Sequence, residues 1–576
     1  MRRLCRWMYL VMLLVAPLAH GASVKVQVEG VSDKPKANVL AMLAIAQVQG
    51  QSDLTAGRIR YLNAQAPAQI RRALEPFGYY RAQVKTDLKP GPQEWTATYR
   101  IEPGPPIPVI AVNLQLSGPG RTDPALEKAV KSFPIRKGDP LDQPRYEQAK
   151  GGLQQRALAL GYLDARYTEH QLRLDLRAYE ARVVLTLATG PRYRFGPVTF
   201  SGSALSPKFL HEYLPFSPGD PYSSARLLAL QQALQNSDYF KRVDIQPQRD
   251  RAKDQEVPIE VKLEPRKRHK YTFGLGYGTD TGPRASVGWE HRRINSLGHK
   301  MQAQYRISRI YQELSLRYII PLAHPATDQL AITAATRNET VNDQVSKTRL
   351  IGVSRLVTHG TVQQTLSLNY QHETFSVGDT SGVSRLLIPG FNWTRISADD
   401  RIYTRRGSRL SLDLRGALQG VASDTSFVRA DLGAKIIRSF GSDNRIIARA
   451  EVGAIQVPDF SVLPVSLRFF AGGDHSVRGY AYNSLGPVDA SGTVVGGQYL
   501  MVGSVEYDRH IVGKWGAAVF YDAGNAFDIF PTHLHRGAGV GVRWRSPVGM
   551  VRVDLAAALS KEGHPLRLHI SIGPDL

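Results

Sequence analysis

Three residues set the chemical question: Arg478, Glu506 and Asp522. Arg478 sits in "AGGDHSVRGYAYNSLGP" (471–487), between Val477 and Gly479, just after a segment that alternates like a membrane strand. In "QYLMVGSVEYDR", Glu506 shares parity with Ser504 and Asp508, opposite Met501, Val505 and Tyr507; in "AAVFYDAGN", Asp522 shares parity with Phe520 and Gly524, opposite Val519 and Tyr521. If these strands close a barrel, both acids face its lumen. A loop folded back inside would then bring the Arg478 guanidinium to a carboxylate, and Gly479 would let the backbone approach the wall closely. A loop arginine considered alone is more often solvated, so the reading depends on what surrounds it.

The surroundings alternate. From Arg266 onward helical periodicity gives way to short alternating runs broken by Gly, Asn, Asp and Pro, sixteen in the 311 residues from 266 to 576. That is about 19 residues per strand and turn, room for ~9–11 spanning residues each, and an even number suits closure. In "GAGVGVRWR", Ala538, Val540, Val542 and Trp544 oppose Gly537, Gly539, Gly541, Arg543 and Arg545. In "VRVDLAAAL", Val551, Val553, Leu555 and Leu559 oppose Arg552 and Asp554, and in "LRLHISIG", Leu566, Leu568, Ile570 and Ile572 oppose Arg567, His569 and Ser571. Apolar outside and polar inside is the pattern of a transmembrane barrel. A soluble barrel of sixteen strands also alternates, but its interior would be oversized and hard to fill.

Ahead of the barrel, the chain repeats itself. "ALEPFGYYRAQV" (73–84), "ALALGYLDARY" (157–167) and "ALQNSDYFKRVDI" (233–245) each join a helix end, a turn and an aromatic strand start; Tyr79, Tyr162 and Tyr239 are 83 and 77 residues apart. Gly138-Asp139-Pro140 and Gly219-Asp220-Pro221 mark the same period, each opening a helix. The first unit reads strand, helix, helix, strand, strand: "VKVQVEG", "KANVLAMLAIAQ", "AGRIRYLNAQAPAQIRRALEPF", "YRAQVKTDL", "EWTATYRIEP". Such small sheets leave a strand edge that can accept a strand from another polypeptide. The fold class is therefore three α+β repeats (23–105, 106–190, 191–265) followed by an all-β 16-stranded transmembrane barrel (266–576).

Residues 1–22 read as a secretory signal: Arg2, Arg3 and Arg6, an apolar run from Tyr9 to Leu18, and cleavage near Gly21 or Ala22. The run is well short of the ~20 residues a spanning helix needs. The single cysteine, Cys5, lies in that segment, so the exported chain would have no disulfide. No stretch of 18 apolar residues follows, and a membrane role must use strands. The net charge of +23 suits an anionic neighbour, and export favours lipid phosphate over nucleic acid. The cluster "RKRHK" (266–270) is compatible with lipid-phosphate contact and equally with a solvated linker face.

"VRGY" (477–480), "GSVE" (503–506) and "FYDAGN" (520–525) together resemble the signature of the outer-membrane assembly superfamily of BamA, TamA and the two-partner secretion transporters. The resemblance covers nearly the whole exported chain. It implies an outer-membrane barrel with the repeats as periplasmic POTRA domains. Arg478, with Gly479 and Tyr480, would be the latch of the sixth extracellular loop, and Glu506 and Asp522, with Gly503 and Gly524, its partners on the lumenal wall. Three repeats before one barrel resemble the TamA-like branch, where a BamA-like chain would carry five and a two-partner transporter two, usually after a plug helix. That branch implies a TamB-like periplasm-spanning partner, β-rich clients such as autotransporters, contact with outer-membrane lipids, and a suggested part in lipid movement between membranes; no cofactor is expected. The terminus "HISIGPDL" departs from the aromatic ending of many outer-membrane barrels, though TamA-like sequences often end in a similar way.

The first strand, "YTFGLGYG", places Gly274, Gly276 and Gly278 on one face, and the last has Gly573 before Pro574. A seam between them should be thinly paired and could open sideways; the same glycines could equally serve curvature alone, and the resemblance favours the gate. No G-x-S-x-G elbow, H-E-x-x-H site or P-loop occurs, and His533 and His535 fall in an expected turn with no further ligands near, so an enzyme is not expected. The alternative to an insertase is a two-partner-type secretion pore.

Overall fold

A computed structural model describes residues 22–400, 402–530, 533–547 and 549–576. The expected signal segment lies outside the described residues, except Ala22, as does Cys5. Among the described residues no helix is long and apolar enough to cross a membrane.

The first repeat runs β1 (Ser23–Glu29), α1 (Asp33–Met42), α2 (Ala44–Gln47), α3 (Ala56–Leu74), β2 (Gln83–Lys89) and β3 (Glu94–Glu102). Thr55 caps α3, its hydroxyl accepting the Arg58 N–H. The α3 residues Ile59, Leu62, Ala66 and Ile70 recur at helical spacing and bury against Val24, Ala97 and Tyr99 of the sheet. The second repeat has β4 (Val109–Ser117), α4 (Pro124–Lys131), α5 (Gln143–Ala159), β5 (Arg166–Asp175) and β6 (Glu180–Ala188). The third has β7 (Arg194–Ser201), α6 (Pro207–His211), α7 (Ser224–Asn236), β8 (Phe240–Pro247) and β9 (Glu256–Pro265). Strand order is β1-β3-β2, β4-β6-β5 and β7-β9-β8: in every sheet the last strand lies in the middle, and the first two are edges.

The repeated motifs have repeated physical causes. Asp139 accepts the Arg136 backbone N–H at 3.0 Å and Asp220 that of Ser217 at 3.1 Å. Each then meets an arginine six residues on, Arg145 at 3.9 Å and Arg226 at 2.8 Å. Before each marker tyrosine stands a left-handed residue: Gly78 (φ 85°), Gly161 (φ 98°) and Asp238 (φ 64°). A Cβ at Gly161 would come 2.8 Å from the Tyr222 carbonyl oxygen, so glycine is required there. Asp238 tolerates the same backbone and adds a carboxylate.

The chain forms two compact units. One comprises residues up to Val198 with Phe216–Leu227 and Pro247–Ile259; the other comprises Thr199–Pro215, Leu228–Gln246 and Glu260–Leu576. The boundary thus runs through the third repeat.

The second unit contains sixteen antiparallel strands, β10 (His269–Gly278) through β25 (Leu566–Gly573), each paired with its sequence neighbours. The alternation in the sequence becomes an inside and an outside. Val540, Val542, Leu555, Leu566 and Leu568 are exposed, whereas Arg543, Asp554 and His569 are buried. This is an inverted pattern for a water-soluble sheet and the expected one for lipid outside a polar lumen. Between β20 (Asn444–Gln456) and β21 (Tyr499–Val512) a long loop, 457–498, folds into the barrel. Its Leu463, Leu467, Phe469, Val477, Tyr480 and Leu485 bury against Leu386, Ile388, Phe427, Leu500, Val502 and Ala526.

Candidate functional site

Arg478 is buried on the inner wall. Its Nε and Nη2 donate to the two oxygens of Asp522 on β22 (Trp515–Phe527), at 2.8 and 3.0 Å. Nη1 donates to Glu506 on β21 at 2.7 Å and to Asp554 on β24 (Gly549–Ala558) at 2.9 Å. Nη2 also reaches Ser504 at 3.4 Å, the Arg478 backbone N–H donates to Asp522 at 3.0 Å, and the guanidinium lies over the Phe520 ring. The cation is saturated from one side by bidentate carboxylate geometry and stacked from another, the arrangement for which arginine is better suited than lysine.

The neighbouring loop residues fix this pose. Gly479 has φ 96°, and a Cβ there would come 2.9 Å from the Ala557 carbonyl group on β24. Its N–H donates to His569 Nε2 at 2.9 Å on β25. Tyr480 is buried; its hydroxyl donates to the Arg536 carbonyl and accepts the Ser560 N–H, both at 3.2 Å.

The ion pair continues along the wall. Arg543 on β23 (His535–Ser546) donates to Glu506 at 2.8 Å, pairs with Asp554, and lies 3.4 Å from Asp508. Arg445 on β20 bridges Asp508 and the penultimate residue Asp575, each at 2.6 Å, and Arg552 on β24 meets Asp575 at 2.5 Å. Beyond Gly573 the chain thus turns inward, with Asp575 2% exposed. Acids and arginines alternate from Asp522 to Asp575, so each buried charge has an opposite neighbour, as a low-dielectric lumen requires.

The first and last strands, by contrast, are the ends of the sheet order. Among the described residues two hydrogen bonds join their ends, both through Thr279, the residue just after β10: Thr279 N–H to the Ile570 carbonyl at 3.3 Å, and Ile570 N–H to Thr279 Oγ1 at 3.0 Å. The loop clips the same point. Asp474 accepts from Thr279 Oγ1 at 2.8 Å and from His569 Nδ1 at 2.6 Å, while its N–H donates to Asp280 at 2.6 Å. Asp280, Asp474 and His569 are close enough to hold a metal ion. Because His569 Nε2 accepts the Gly479 N–H, however, Nδ1 must carry the proton given to Asp474, and the group is accounted for as a hydrogen-bonded clip.

Of the residues singled out in the sequence, Arg478, Gly479, Tyr480, Glu506 and Asp522 come together. Gly524 shares the inward parity of Asp522, and a Cβ there would press on Met501 O at 2.7 Å. Gly503 is a correction: it alternates with Ser504 and stands on the outward face between Ala450 and Ala523, where a Cβ would meet open space, so it is not part of the lumenal wall. Gly274 and Gly276 lie under the side chains of Ser286 and Arg284; Gly278 faces Ile570 and Asp474 across the seam, and Gly573 has open space. His535 opens β23 instead of sitting in a turn, with its ring 5.4 Å from that of Tyr480. In the basic cluster, Arg266 and Lys270 each lie 3.5 Å from Asp238, which Arg292 also grips at 2.9 Å. Sequence parity put Asp554 and Arg543 inside the barrel but gave no height, so their meeting with Arg478 was hidden; Asp474, His569 and Asp575 carried no signal of their partners.

A profile of the Omp85 superfamily domain matches residues 293–575. The barrel is that of the Omp85 superfamily. Profiles described as POTRA domain TamA domain 1 and as POTRA, surface antigen variable number repeat, match residues 25–103 and 193–266. The Omp85 barrel with its POTRA domains is similar to the outer membrane protein assembly factor BamA of Nitratidesulfovibrio vulgaris, 22% identical over 62% of this chain and 48% of the relative. It is also similar to BamA of Neorickettsia risticii, 21% identical over 66% and 54%. The chain thus spans about half the length of these relatives. The crystal structure of Haemophilus ducreyi BamA lacking POTRA domains 1–3 superposes with a TM-score of 0.65 at 15% identity, covering 80% of this chain and 99% of that one. The Omp85 barrel lies in the outer membrane, with the N-terminal POTRA domains in the periplasm.

Proposed function

We propose that this Omp85 protein is a TamA-like insertase: it receives β-rich outer-membrane clients, autotransporters among them, through POTRA strand edges and passes them to a lateral seam between β10 and β25. The observation that carries the reading is the loop that binds Arg478 to the wall and, through Asp474, touches both strands of the weakly joined seam. Two hydrogen bonds contribute about 1–3 kcal/mol net, whereas a full ladder such as β16 (Val362–Val377) with β17 (Thr380–Ala398) is in register along the whole of β16. An opened seam would offer an unpaired edge to an incoming strand. The free energy would come from the client's own folding and burial, without turnover chemistry or a cofactor. Three repeats and the match of the first to a TamA POTRA domain support the TamA-like branch, and with it a TamB-like periplasm-spanning partner. A loop folded into the lumen and bound to its wall argues against a two-partner-type open pore.

The test is a reversible lock. A Cβ at Gly278 would lie 3.7 Å from the Ile570 carbonyl oxygen, and the sequence has one cysteine, Cys5. The Thr279 N–H donates to the Ile570 carbonyl, which sets Gly278 opposite Ser571 on the inward face; Gly278→Cys with Ser571→Cys should crosslink, block client maturation under oxidising conditions and regain it on reduction. Full client maturation with the seam locked would end the proposal.

A further inference from the structure

The lipid-facing surface carries a feature that the seam and the loop do not use. Cross-strand register aligns Leu314, Thr336, Arg349, His372 and Arg385 in one outward row across β13 (Tyr311–Pro321), β14 (Asp328–Val341), β15 (Gln344–His359), β16 and β17. The next row toward the extracellular turns is Gln312, Asn338, Lys347, Thr374 and Val383; the next toward the periplasm is Leu316, Ala334, Ile351, Tyr370 and Leu387. Three cations and a histidine therefore sit directly above an apolar row.

Their height is that of a headgroup. Arg349 and His372 stand ten positions from the periplasmic ends of their strands, His359 and Val362. At ~3.3 Å per residue and a tilt of 35–45°, that is ~25 Å, the height of the apolar band of such barrels. On β17, Arg385 and Arg395 bracket Leu387, Pro389, Phe391 and Trp393 with the same separation.

Arg349 and Arg385 flank His372 on the two neighbouring strands, and Lys347 stands two residues from Arg349 on the same face of β15; like charges gathered on one face repel. Yet among the described residues Lys347, Arg349 and Arg385 make no ion pair. The interleaved Glu339 and Glu373 point to the lumen, and the loop acid Asp424 accepts the Arg385 backbone N–H at 2.8 Å. Below the cations lies a groove of about 370 Å³, lined by Leu314, Leu316, Ala334, Ile351 and Tyr370.

We propose that this face binds the phosphorylated headgroup of an outer-leaflet glycolipid, with its acyl chains in the groove. Lys347, Arg349 and Arg385 hold the phosphates by charge-assisted hydrogen bonds, Thr336, Asn338 and Thr374 supply neutral partners beside them, and the apolar row receives the chains.

The test uses the full chain in phosphatidylcholine nanodiscs, with bound lipid counted by native mass spectrometry. Bisphosphorylated lipid A should bind at least tenfold more tightly than its dephosphorylated form. The triple variant Lys347→Ser, Arg349→Ser, Arg385→Ser should lose that preference, while Arg395→Ser at the periplasmic end of β17 should keep it. Equal binding of the two lipid A forms, a triple variant within twofold of the parent, or an equal loss in Arg395→Ser would overturn the assignment. So would phosphatidylglycerol competing as well as lipid A, since the occupant would then be a phospholipid. If the triple variant fails to fold, judged by heat-modifiable migration, the comparison of the two lipid A forms on the parent protein decides.

Discussion

The two places where the inward loop meets the barrel are built on opposite terms. At the wall of β21 to β24, Arg478 is held by three carboxylates, a hydroxyl and an aromatic face, and each acid is answered by a further arginine. At the seam, the hydrogen bonds among the described residues are two between Thr279 and Ile570 and a clip through Asp474. The same loop is thus anchored firmly to one side and lightly to the other. The lesson is mechanical: a loop that must stay while a neighbouring edge moves needs buried, mutually compensating charge on the fixed side and few bonds on the moving side.

Breaking the anchored side should have the largest effect. Arg478→Ala would leave Asp522 with only Arg449, 3.8 Å away, and Glu506 and Asp554 with only Arg543, a loss of about 3–5 kcal/mol for a buried pair missing one partner. Hydrogen exchange over residues 471–485 should rise steeply and client assembly should fall, while heat-modifiable migration shows the barrel still folded. Unchanged protection of the loop would abolish the contrast between the two sides. Arg478→Lys should recover little, because an ammonium cannot span both Asp522 oxygens and reach Glu506.

Loosening the light side should cost less. Thr279→Val removes the hydroxyl that donates to Asp474 and accepts from Ile570, about 1–3 kcal/mol for two bonds. Cysteines placed across the seam should then react faster with a maleimide, with loop exchange nearly unchanged; slower labelling would count against a weakly held seam.

The smallest effect is expected at the third repeat's joint. Burial pushes the Asp238 carboxyl up, but Arg292, Lys270 and Arg266 outweigh it and hold the group below its usual range. A depressed carboxylate contributes stability above its unfolded value and loses it as pH falls through the folded one. Asp238→Asn should therefore lower the thermal midpoint by a few degrees or less at neutral pH. The difference from the parent should vanish in acid; a constant gap across pH would mean that charge is not the cause.

How much was legible follows from what each signal encodes. Period-two alternation in "GVGVRWR" and "VRVDLAA" separates lipid from lumen because the pleat does so one residue at a time. Repetition around Tyr79, Tyr162 and Tyr239 exposes three similar units because each needs the same left-handed joint. Gly503 was misplaced for the same reason that Glu506 was placed correctly: parity is strict, and a motif written as "GSVE" hides that its first and last residues lie on opposite faces.

By itself, then, the sequence determined the strands, their two faces, the repeats and the residues able to hold a loop, because these depend on neighbours two to four positions apart. Only the tertiary structure decided that Asp554 and Arg543 join Arg478 and Glu506, that Asp575 turns inward to Arg445, and that Lys347, Arg349 and Arg385 share one patch. Those meetings depend on register between strands and on how far a loop descends, which are set by closure of the whole sheet and written in no single segment.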